Sequence, residues 1–336
     1  MSEEPDEAYD TTHRAFLQAF LARPAMTFED AKPILARIFS IKEERSFLVN
    51  DVTEADFRNY VGTLNAALGP LDYEVRSALP QHGGRARVYA LVNTTSDALT
   101  QLATAHSADE IAFIKRVLDA MFETHNRERA EIMAVRAMDA VQLHRPPLQG
   151  GGGGGGGATQ RSSVPADESQ AGLEGGQSQS VKAITMKQAE DLLASLKEEG
   201  WLERSRRGYY SLSPRALMEL RNWLVDTYND PPDEGNPNQW QRIKMCEACR
   251  EIVTVGQRCS KRRCNCRLHN ICVENFFRTQ TERKCPVCKE DWTGRNFVGE
   301  KADPRVNNRS SGTSNSRRTP RTNNGDDATM LVEDDE

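Results

Sequence analysis

The sequence has no cysteine before Cys246 or after Cys288, and all eight of its cysteines lie within this interval. A secreted disulfide scaffold spreads its cysteines through a short chain and follows a signal peptide. This chain opens instead on an acidic stretch at positions 1–6. We therefore expect an intracellular protein with reduced thiols, in which clustered cysteines indicate metal binding.

Long apolar runs are missing as well. No stretch approaches the roughly 18 consecutive apolar residues of a membrane-spanning helix, and neither end carries a myristoylation or prenylation pattern. These absences predict a soluble protein without a membrane partner. Its 336 residues predict two or three domains, at about 100–200 residues per domain.

Composition divides the chain into folded segments and linkers. Eight consecutive glycines at 150–157 open a stretch rich in Ser, Gln and Gly, which cannot bury enough surface to offset the entropy of ordering it. We expect a linker over 145–180 that separates two folded halves. A second linker is predicted over 231–240, where turn residues cluster, and a disordered tail over 299–336.

The segment before the glycines predicts three helices and then a two-stranded hairpin, which is the order of a winged helix. Apolar residues recur there at helical spacing, and two extended runs follow at 71–79 and 87–93. Two further helices, at about 108–124 and 127–143, are expected to pack behind this domain. We place the whole N-terminal winged-helix domain at 1–144.

A shorter version of the same order follows over 181–230. Thr185 is the expected N-cap of a helix, Gly200 stands where a C-terminal cap belongs, and Ser213 begins a last helix after a hairpin. We interpret this segment as a second, smaller winged helix.

The segment 241–298 carries the metal-binding pattern. Two C-x2-C knuckles flank a Cys, Cys, His, Cys centre, and His269 is the only histidine after His144. Zinc takes four Cys or His ligands at tetrahedral corners, so eight candidates supply two closed sites. Cys266 is left over and is the alternative to Cys264. In chain order the candidates are Cys246, Cys249, Cys259, Cys264, His269, Cys272, Cys285 and Cys288.

This ligand order resembles the RING-like and PHD-like cross-brace folds. The resemblance implies that ligand pairs one and three share one zinc ion and that pairs two and four share the other. The first ion then takes Cys246, Cys249, His269 and Cys272, and the second takes Cys259, Cys264, Cys285 and Cys288. Closed sites of this kind are structural, so we expect the function on the surface that they support.

The last knuckle favours a RING over a histone-tail reader. A reader of the PHD type needs aromatic residues around a methylated lysine, usually including a tryptophan shortly before the last knuckle. Residues 279–284 contain no aromatic side chain, and Trp292 follows the last knuckle. Pro286 inside that knuckle is typical of a RING.

Together with two winged helices, this pattern resembles the non-SMC element one family, the RING-like subunits of the SMC five-six genome-maintenance complex. The glycine-rich linker suggests a fungal member. The resemblance is carried by Cys246-Glu247-Ala248-Cys249, Gly256-Gln257-Arg258-Cys259, Arg267-Leu268-His269-Asn270-Ile271-Cys272, Glu274-Asn275-Phe276-Phe277, Cys285-Pro286-Val287-Cys288 and Trp292.

The resemblance implies an α+β multidomain protein with two winged helices and a small RING-like cross-brace domain that holds two structural Zn²⁺ ions. It implies a nuclear, chromatin-associated E3 ubiquitin ligase subunit that acts in DNA repair and recombination. The expected partners are a MAGE-type subunit, a kleisin subunit and a ubiquitin-conjugating enzyme. Such a ligase forms no covalent intermediate and holds the conjugating enzyme's thioester for attack by a lysine.

By position, the residues implied to dock the conjugating enzyme are Ala248, Pro286 and Lys289. Glu247 and Ala248 depart from the pattern, which usually has a hydrophobic residue after the first ligand. We therefore expect ligase activity to depend on the MAGE-type partner.

Two other functions remain open. The first is a scaffold, in which the zinc domain braces the heterodimer without catalysis. The second is a chromatin-binding protein, in which a winged helix contacts DNA. The segment 241–298 has 13 Lys and Arg against six Asp and Glu, densest at Lys261-Arg262-Arg263, which suits DNA or an acidic partner. The charges around the third predicted helix, from Asp51 to Arg58, are mixed, which favours protein contact there.

Overall fold

The computed structural model describes residues 9–82, 84, 86–95, 105–146, 182–231, 239–278, 280 and 282–306. The helices are α1 (Thr11–Leu21), α2 (Phe28–Lys42), α3 (Glu54–Leu68), α4 (Ala108–Asp119), α5 (Ala137–Gln142), α6 (Met186–Glu198), α7 (Pro214–Glu219), α8 (Arg221–Tyr228) and α9 (Asn270–Phe277). The strands are β1 (Met26–Thr27), β2 (Tyr73–Ala78), β3 (Val88–Asn93), β4 (Asn126–Arg127), β5 (Ala130–Glu131), β6 (Val135–Arg136), β7 (Leu202–Arg204), β8 (Tyr209–Leu212), β9 (Gly256–Arg258), β10 (Arg267–Leu268) and β11 (Phe297–Val298). Within these ranges, no helix has the length and apolar character needed to cross a membrane.

The first winged helix runs from α1 to β3. Thr27 and Thr53 cap α2 and α3 through capping boxes, which satisfy backbone N–H groups at the helix starts. The three strands form an antiparallel sheet in the order β1-β3-β2. The helices bury Phe16, Leu35 and Leu64 against this sheet, so the predicted winged helix is confirmed. The pattern did not predict β1, because two residues are too few to show an alternation.

The second winged helix is built from both sides of the glycine-rich stretch. Its sheet has the order β6-β8-β7, with Val135 opposite Tyr210 and Arg136 opposite Tyr209. Strand β6 and helices α4 and α5 come before the glycines, whereas α6 and the β7–β8 wing come after them. The module therefore has the same strand arrangement as the first winged helix.

The prediction that 108–124 and 127–143 pack behind the first winged helix is wrong. Phe113, Val117 and Met121 belong to the same core as Leu193 and Leu224, which is separate from the core of the first winged helix. The segment 127–143 is also not one helix, because it contains β5, β6 and α5. An amphipathic pattern shows that a face is buried but does not show against which partner.

The glycine-rich stretch was expected to separate two folded halves, but it lies within one module. Residues 147–181 lie outside the described residues, yet α5 before them and α6 after them pack in one module. The stretch thus joins two helices of the second winged helix. We propose that the boundary between the winged helices falls between Thr95 and Ala105.

Ordered structure continues past the predicted end of the zinc domain. A 3₁₀ turn covers Glu300–Ala302, and the carboxylate of Glu300 accepts a hydrogen bond from Ser205 Oγ at 2.5 Å. The hydroxyl of Tyr209 donates to Asp303 Oδ2 at 2.8 Å. The first residues of the predicted tail are therefore fastened to the second wing, and the tail from 307 lies outside the described residues.

The two winged helices touch directly. Met218 of α7 packs against Ala90 and Val92 of β3. Gly200 follows α6 with a φ of +79°, and an added Cβ there would collide with the side chain of Pro24. Glycine is needed at this position both for the left-handed backbone and for the close approach.

Candidate metal centre

The two C-x2-C knuckles fold in the same way. The amide of Arg250 donates to the carbonyl of Cys246 at 2.9 Å, and the amide of Lys289 donates to the carbonyl of Cys285 at 3.0 Å. Arg250 and Lys289 both have left-handed backbones, with φ of 62° and 63°. These tight turns bring the two thiols of each knuckle to one side.

The structure brings the eight candidate ligands together in two interleaved groups of four. Within each group the ligand atoms all lie within 4.8 Å of one another. The groups are Cys246, Cys249, His269 and Cys272, and then Cys259, Cys264, Cys285 and Cys288. This is the cross-brace arrangement that the resemblance implied.

The distances within the groups suit a tetrahedral ion. Cys249 Sγ lies 3.2 Å from His269 Nδ1, and Cys259 Sγ lies 3.4 Å from Cys288 Sγ. Zn–S bonds of about 2.3 Å at tetrahedral corners separate two sulfur atoms by about 3.8 Å. A metal ion fits among these atoms with small adjustments.

The alternative between Cys264 and Cys266 has a structural answer. Cys264 Sγ lies 3.7 Å from Cys285 Sγ within the second group, and Cys266 is in neither group. Cys266 is fully buried, and burial raises the pKa of its thiol far above the ordinary value. Cys266 is therefore a neutral thiol that is buried beside the second centre.

The chemistry of the donors fits two zinc ions. Burial raises the pKa of the Cys264 and Cys272 thiols to about 11, so a cation is needed to hold these crowded groups as thiolates. The first group offers three sulfur atoms and one nitrogen, and the second offers four sulfur atoms. Both are donor sets of structural zinc. Bound zinc supplies folding free energy to a segment that is too short for a large hydrophobic core.

His269 is oriented by a second hydrogen bond. Its Nε2 lies 3.0 Å from the carbonyl oxygen of Ile252, to which the Nε2–H donates when Nδ1 is free for a metal ion. Helix α9 begins directly after His269 and places Cys272 in its first turn. The ring is thus fixed between its backbone acceptor and the first group.

A buried carboxylate from outside the zinc segment lies at the second group. Glu131 of β5 and Arg267 of β10 are both fully buried. Arg267 Nε donates to Glu131 Oε2 at 2.7 Å, and Arg267 Nη2 donates to Oε1. Arg267 Nη1 also donates to the carbonyl of Cys264 at 2.6 Å. The second winged-helix module therefore braces the backbone of a candidate ligand.

Two more basic side chains surround the same carboxylate, and burial lowers the pKa of one of them, Lys244, to about 7. Lys244 Nζ lies 3.4 Å and Arg258 Nη1 3.6 Å from Glu131 Oε1. Burial would raise the pKa of Glu131, but the hydrogen bonds from Arg267 and the three cations lower it below the ordinary value. A zinc ion with four thiolates has a formal charge of about −2, which compensates the excess of buried cations. No sequence pattern predicts this network, because Glu131 is one acidic residue among many.

The implied docking residues lie on the surface of the zinc segment. Ala248 and Lys289 are exposed, and Pro286 is half-buried. Val287 beside Pro286 is 50% exposed, although sequence reasoning did not single it out. Lys289 Nζ donates to the carbonyl of Pro286 at 3.0 Å, so the cation rests on its own knuckle.

The densest cationic run is exposed next to the second group. Lys261, Arg262 and Arg263 are all exposed, and Arg263 Nε lies 3.7 Å from Glu128. A cleft of about 770 Å³ opens there, and Lys261, Arg263 and Val287 contribute to its walls. This surface has mixed charges rather than a uniform basic stripe.

Comparisons with known proteins agree with this architecture. A family model described as "Nse1 non-SMC component of SMC5-6 complex" matches residues 13–220, and a RING-like domain model matches residues 246–288. The chain is 21% identical over 280 residues to "Non-structural maintenance of chromosomes element 1 homolog" of Homo sapiens, covering 83% of each chain. It is 22% identical to the homolog of Bos taurus, covering 92% of each. A chain of a solved "Nse1-Nse3-Nse4 complex" matches with a TM-score of 0.58 and 20% identity, over 85% of this chain and 98% of that one.

Proposed function

The chain belongs to the Nse1 family of SMC5-6 complex components, and from this premise we propose that it is a RING-type E3 ubiquitin ligase subunit. It acts in DNA repair and recombination, in the nucleus and on chromatin. Seven of its cysteines and His269 hold two structural zinc ions. The single observation that carries the ligase proposal is the RING-like cross-brace whose last knuckle presents Pro286, Val287 and Lys289 to solvent.

The proposed mechanism is orientation of a conjugating enzyme. Pro286 and Val287 supply an apolar contact, and Lys289 supplies a cation beside it. Holding the thioester in one geometry aligns it for attack by a lysine and so lowers the entropic part of the barrier. Ala248 offers a smaller apolar contact at the first knuckle, which is why the activity depends on the MAGE-type partner.

We predict that Lys289→Ala slows ubiquitin discharge from the charged conjugating enzyme about tenfold, with the MAGE-type partner present. A hydrogen bond to a charged group contributes about 1.5–3 kcal/mol, and about 1.4 kcal/mol is tenfold in rate. The measurement is single-turnover discharge to free lysine.

Arg250→Ala is the matched control for this experiment. Arg250 occupies the same left-handed position in the first knuckle, so both variants have the same backbone cost. Discharge should be close to wild type in Arg250→Ala. Absence of discharge in the wild-type heterodimer, or equal rates in both variants, contradicts the ligase proposal.

The proposed partners are a MAGE-type subunit and a kleisin subunit, as the name of the similar solved complex suggests. The winged helices form the contact. Ile41 at the end of α2 is 71% exposed, and Leu48 and Val49 in the next turn are 65% and 45% exposed. Exposed apolar side chains of this size are typical of protein interfaces.

We predict that the double variant Ile41→Lys with Leu48→Lys weakens binding of the MAGE-type partner roughly 100-fold. Burial of one such side chain stabilises by about 1.5–3 kcal/mol, and each 1.4 kcal/mol is tenfold in affinity. Titration calorimetry with the purified partner measures this change. Met138→Lys is the control, because Met138 is 73% exposed in the other module. Equal affinity of the double variant and the wild type rules out this surface.

A scaffold function is the second candidate, and the Glu131 network favours it. Buried ion pairs fix the zinc segment to the second winged helix, as a bracing element requires. In that case the heterodimer forms normally and the discharge assay shows no activity. DNA contact through Lys261 to Arg263 is the remaining alternative, and it requires binding that falls steeply with salt.

A further inference from the structure

The wing of the first winged helix contacts the zinc segment, and the side chain of Gln81 makes hydrogen bonds there. Gln81 lies in the β2–β3 connection and inserts its amide into the loop that follows the first knuckle. Its Nε2 donates to the carbonyl of Ile252 at 2.7 Å. Its Oε1 accepts hydrogen bonds from the amides of Thr254 and Val255, both at 2.8 Å. The side chain thus pairs with this loop as an added strand does.

The acceptor of Gln81 is also the acceptor of a metal ligand. The carbonyl oxygen of Ile252 receives the Gln81 amide at 2.7 Å and lies 3.0 Å from Nε2 of His269. A carbonyl oxygen has two lone pairs and serves both donors. Ile252 and His269 are buried, so the bond between them is shielded from water, whereas Gln81 is half-buried.

We propose that Gln81 is a positioning residue of the first zinc centre. It fixes the Ile252 carbonyl, the carbonyl fixes the His269 ring through Nε2–H, and the ring then presents Nδ1 to the metal ion. Partners that orient a ligating histidine typically contribute 10–100-fold to metal affinity. Docking of the first wing and occupancy of the first zinc centre are therefore coupled, and the coupling is reciprocal.

The side chains of Gln81 and Glu131 reach different centres, although the carbonyl of Arg267 also accepts from the amide of Glu247 in the first knuckle. The second centre is braced by Arg267, which donates to the carbonyl of Cys264 and is held by Glu131. Gln81 contacts the loop of the first centre instead. A small cavity of about 80 Å³ between the wing and the first centre is walled in part by Gln81, Cys249 and His269. Release of the wing opens this side of the first centre to a chelator.

The test measures metal release from the full chain, with each centre observed separately. Cobalt or ¹¹³Cd replaces zinc, and the centre with three sulfur atoms and one nitrogen is resolved from the four-sulfur centre by its absorption or NMR signal. Gln81→Ala is expected to lose the first-centre metal to a chelator at least about tenfold faster than the wild type. The second-centre signal should keep its wild-type rate. Arg76→Ala on the same hairpin is the control, because Arg76 Nε donates to Glu74 at 2.9 Å and Arg76 does not line this cavity.

Gln81→Glu separates positioning from a general effect on the loop. Glutamate keeps an oxygen for the amides of Thr254 and Val255 but has no N–H for the carbonyl of Ile252. Selective loss from the first centre in both Gln81 variants supports the proposal. Wild-type retention by Gln81→Glu, equal loss from both centres, or no change in Gln81→Ala overturns it.

Discussion

Replacing Glu131 by glutamine is expected to lower the free energy of unfolding by about 3–5 kcal/mol. Removing one partner of a buried ion pair leaves the other charges without compensation in a low dielectric. Here one carboxylate faces three cations, and the side chains of Arg267 and Lys244 are 0% and 1% exposed. Glutamine keeps the volume and part of the hydrogen bonding of glutamate. The loss of unfolding free energy therefore measures the contribution of the negative charge of Glu131. Urea unfolding of the zinc-loaded chain, followed by tryptophan fluorescence, measures it.

Two controls make the Glu131 experiment specific. Glu128→Gln removes a carboxylate of the same segment that pairs with the exposed Arg263 at 3.7 Å, and it should cost less than about 1 kcal/mol. Burial lowers the pKa of Lys244 to about 7 even beside Glu131, so adding Lys244→Met to Glu131→Gln removes a buried basic group that has lost its partner and should recover part of the loss. If Glu131→Gln unfolds at the wild-type urea concentration, the network does not brace the zinc segment.

The exchange of Cys264 for serine is expected to have the second large effect, namely loss of the second zinc ion. Structural zinc supplies about 10–16 kcal/mol in small zinc domains. The ligands interleave along the chain, so loss of one ion loosens the loops that hold the other. Metal analysis of the purified protein should give fewer than two zinc ions per chain, and a chelator should remove the rest faster.

Cys266→Ser is the matched control for this exchange. Cys266 stands two residues away, is fully buried, and belongs to neither group of ligand atoms. This variant should keep two zinc ions and lose only a modest part of its stability. If Cys266→Ser lost an ion and Cys264→Ser kept both, the assignment of the second centre would be reversed.

Local sequence patterns predicted several helix ends and the two zinc sites. Thr27 and Thr53 cap α2 and α3 as helix-start signals, and Gly200 follows α6 with the positive φ of a C-terminal cap. The cysteine spacing indicated two zinc ions before any fold was known. Such signals are readable because hydrogen bonds at helix ends and zinc knuckles involve residues a few positions apart.

The sequence pattern did not predict the module in which α4 and α5 pack. Their apolar faces predicted burial, but the long glycine-rich stretch after them suggested the end of a domain. The entropic cost of closing a connection rises only slowly with its length, so a long connection between α5 and α6 is tolerated within one module. The order of the chain alone does not reveal this insertion.

The sequence by itself predicted the candidate ligands, with Cys264 and Cys266 as alternatives, the number of ions that they suit and the family that the chain resembles. The reason is that ligand chemistry and short spacings are local properties. Only the tertiary structure decided that Glu131 and Gln81 belong to the zinc centres, because both lie more than a hundred residues before the groups that they contact. Contacts of that separation depend on how the modules pack. Packing placed Gln81 of the first winged helix beside the first centre and Glu131 of the second winged helix beside the second.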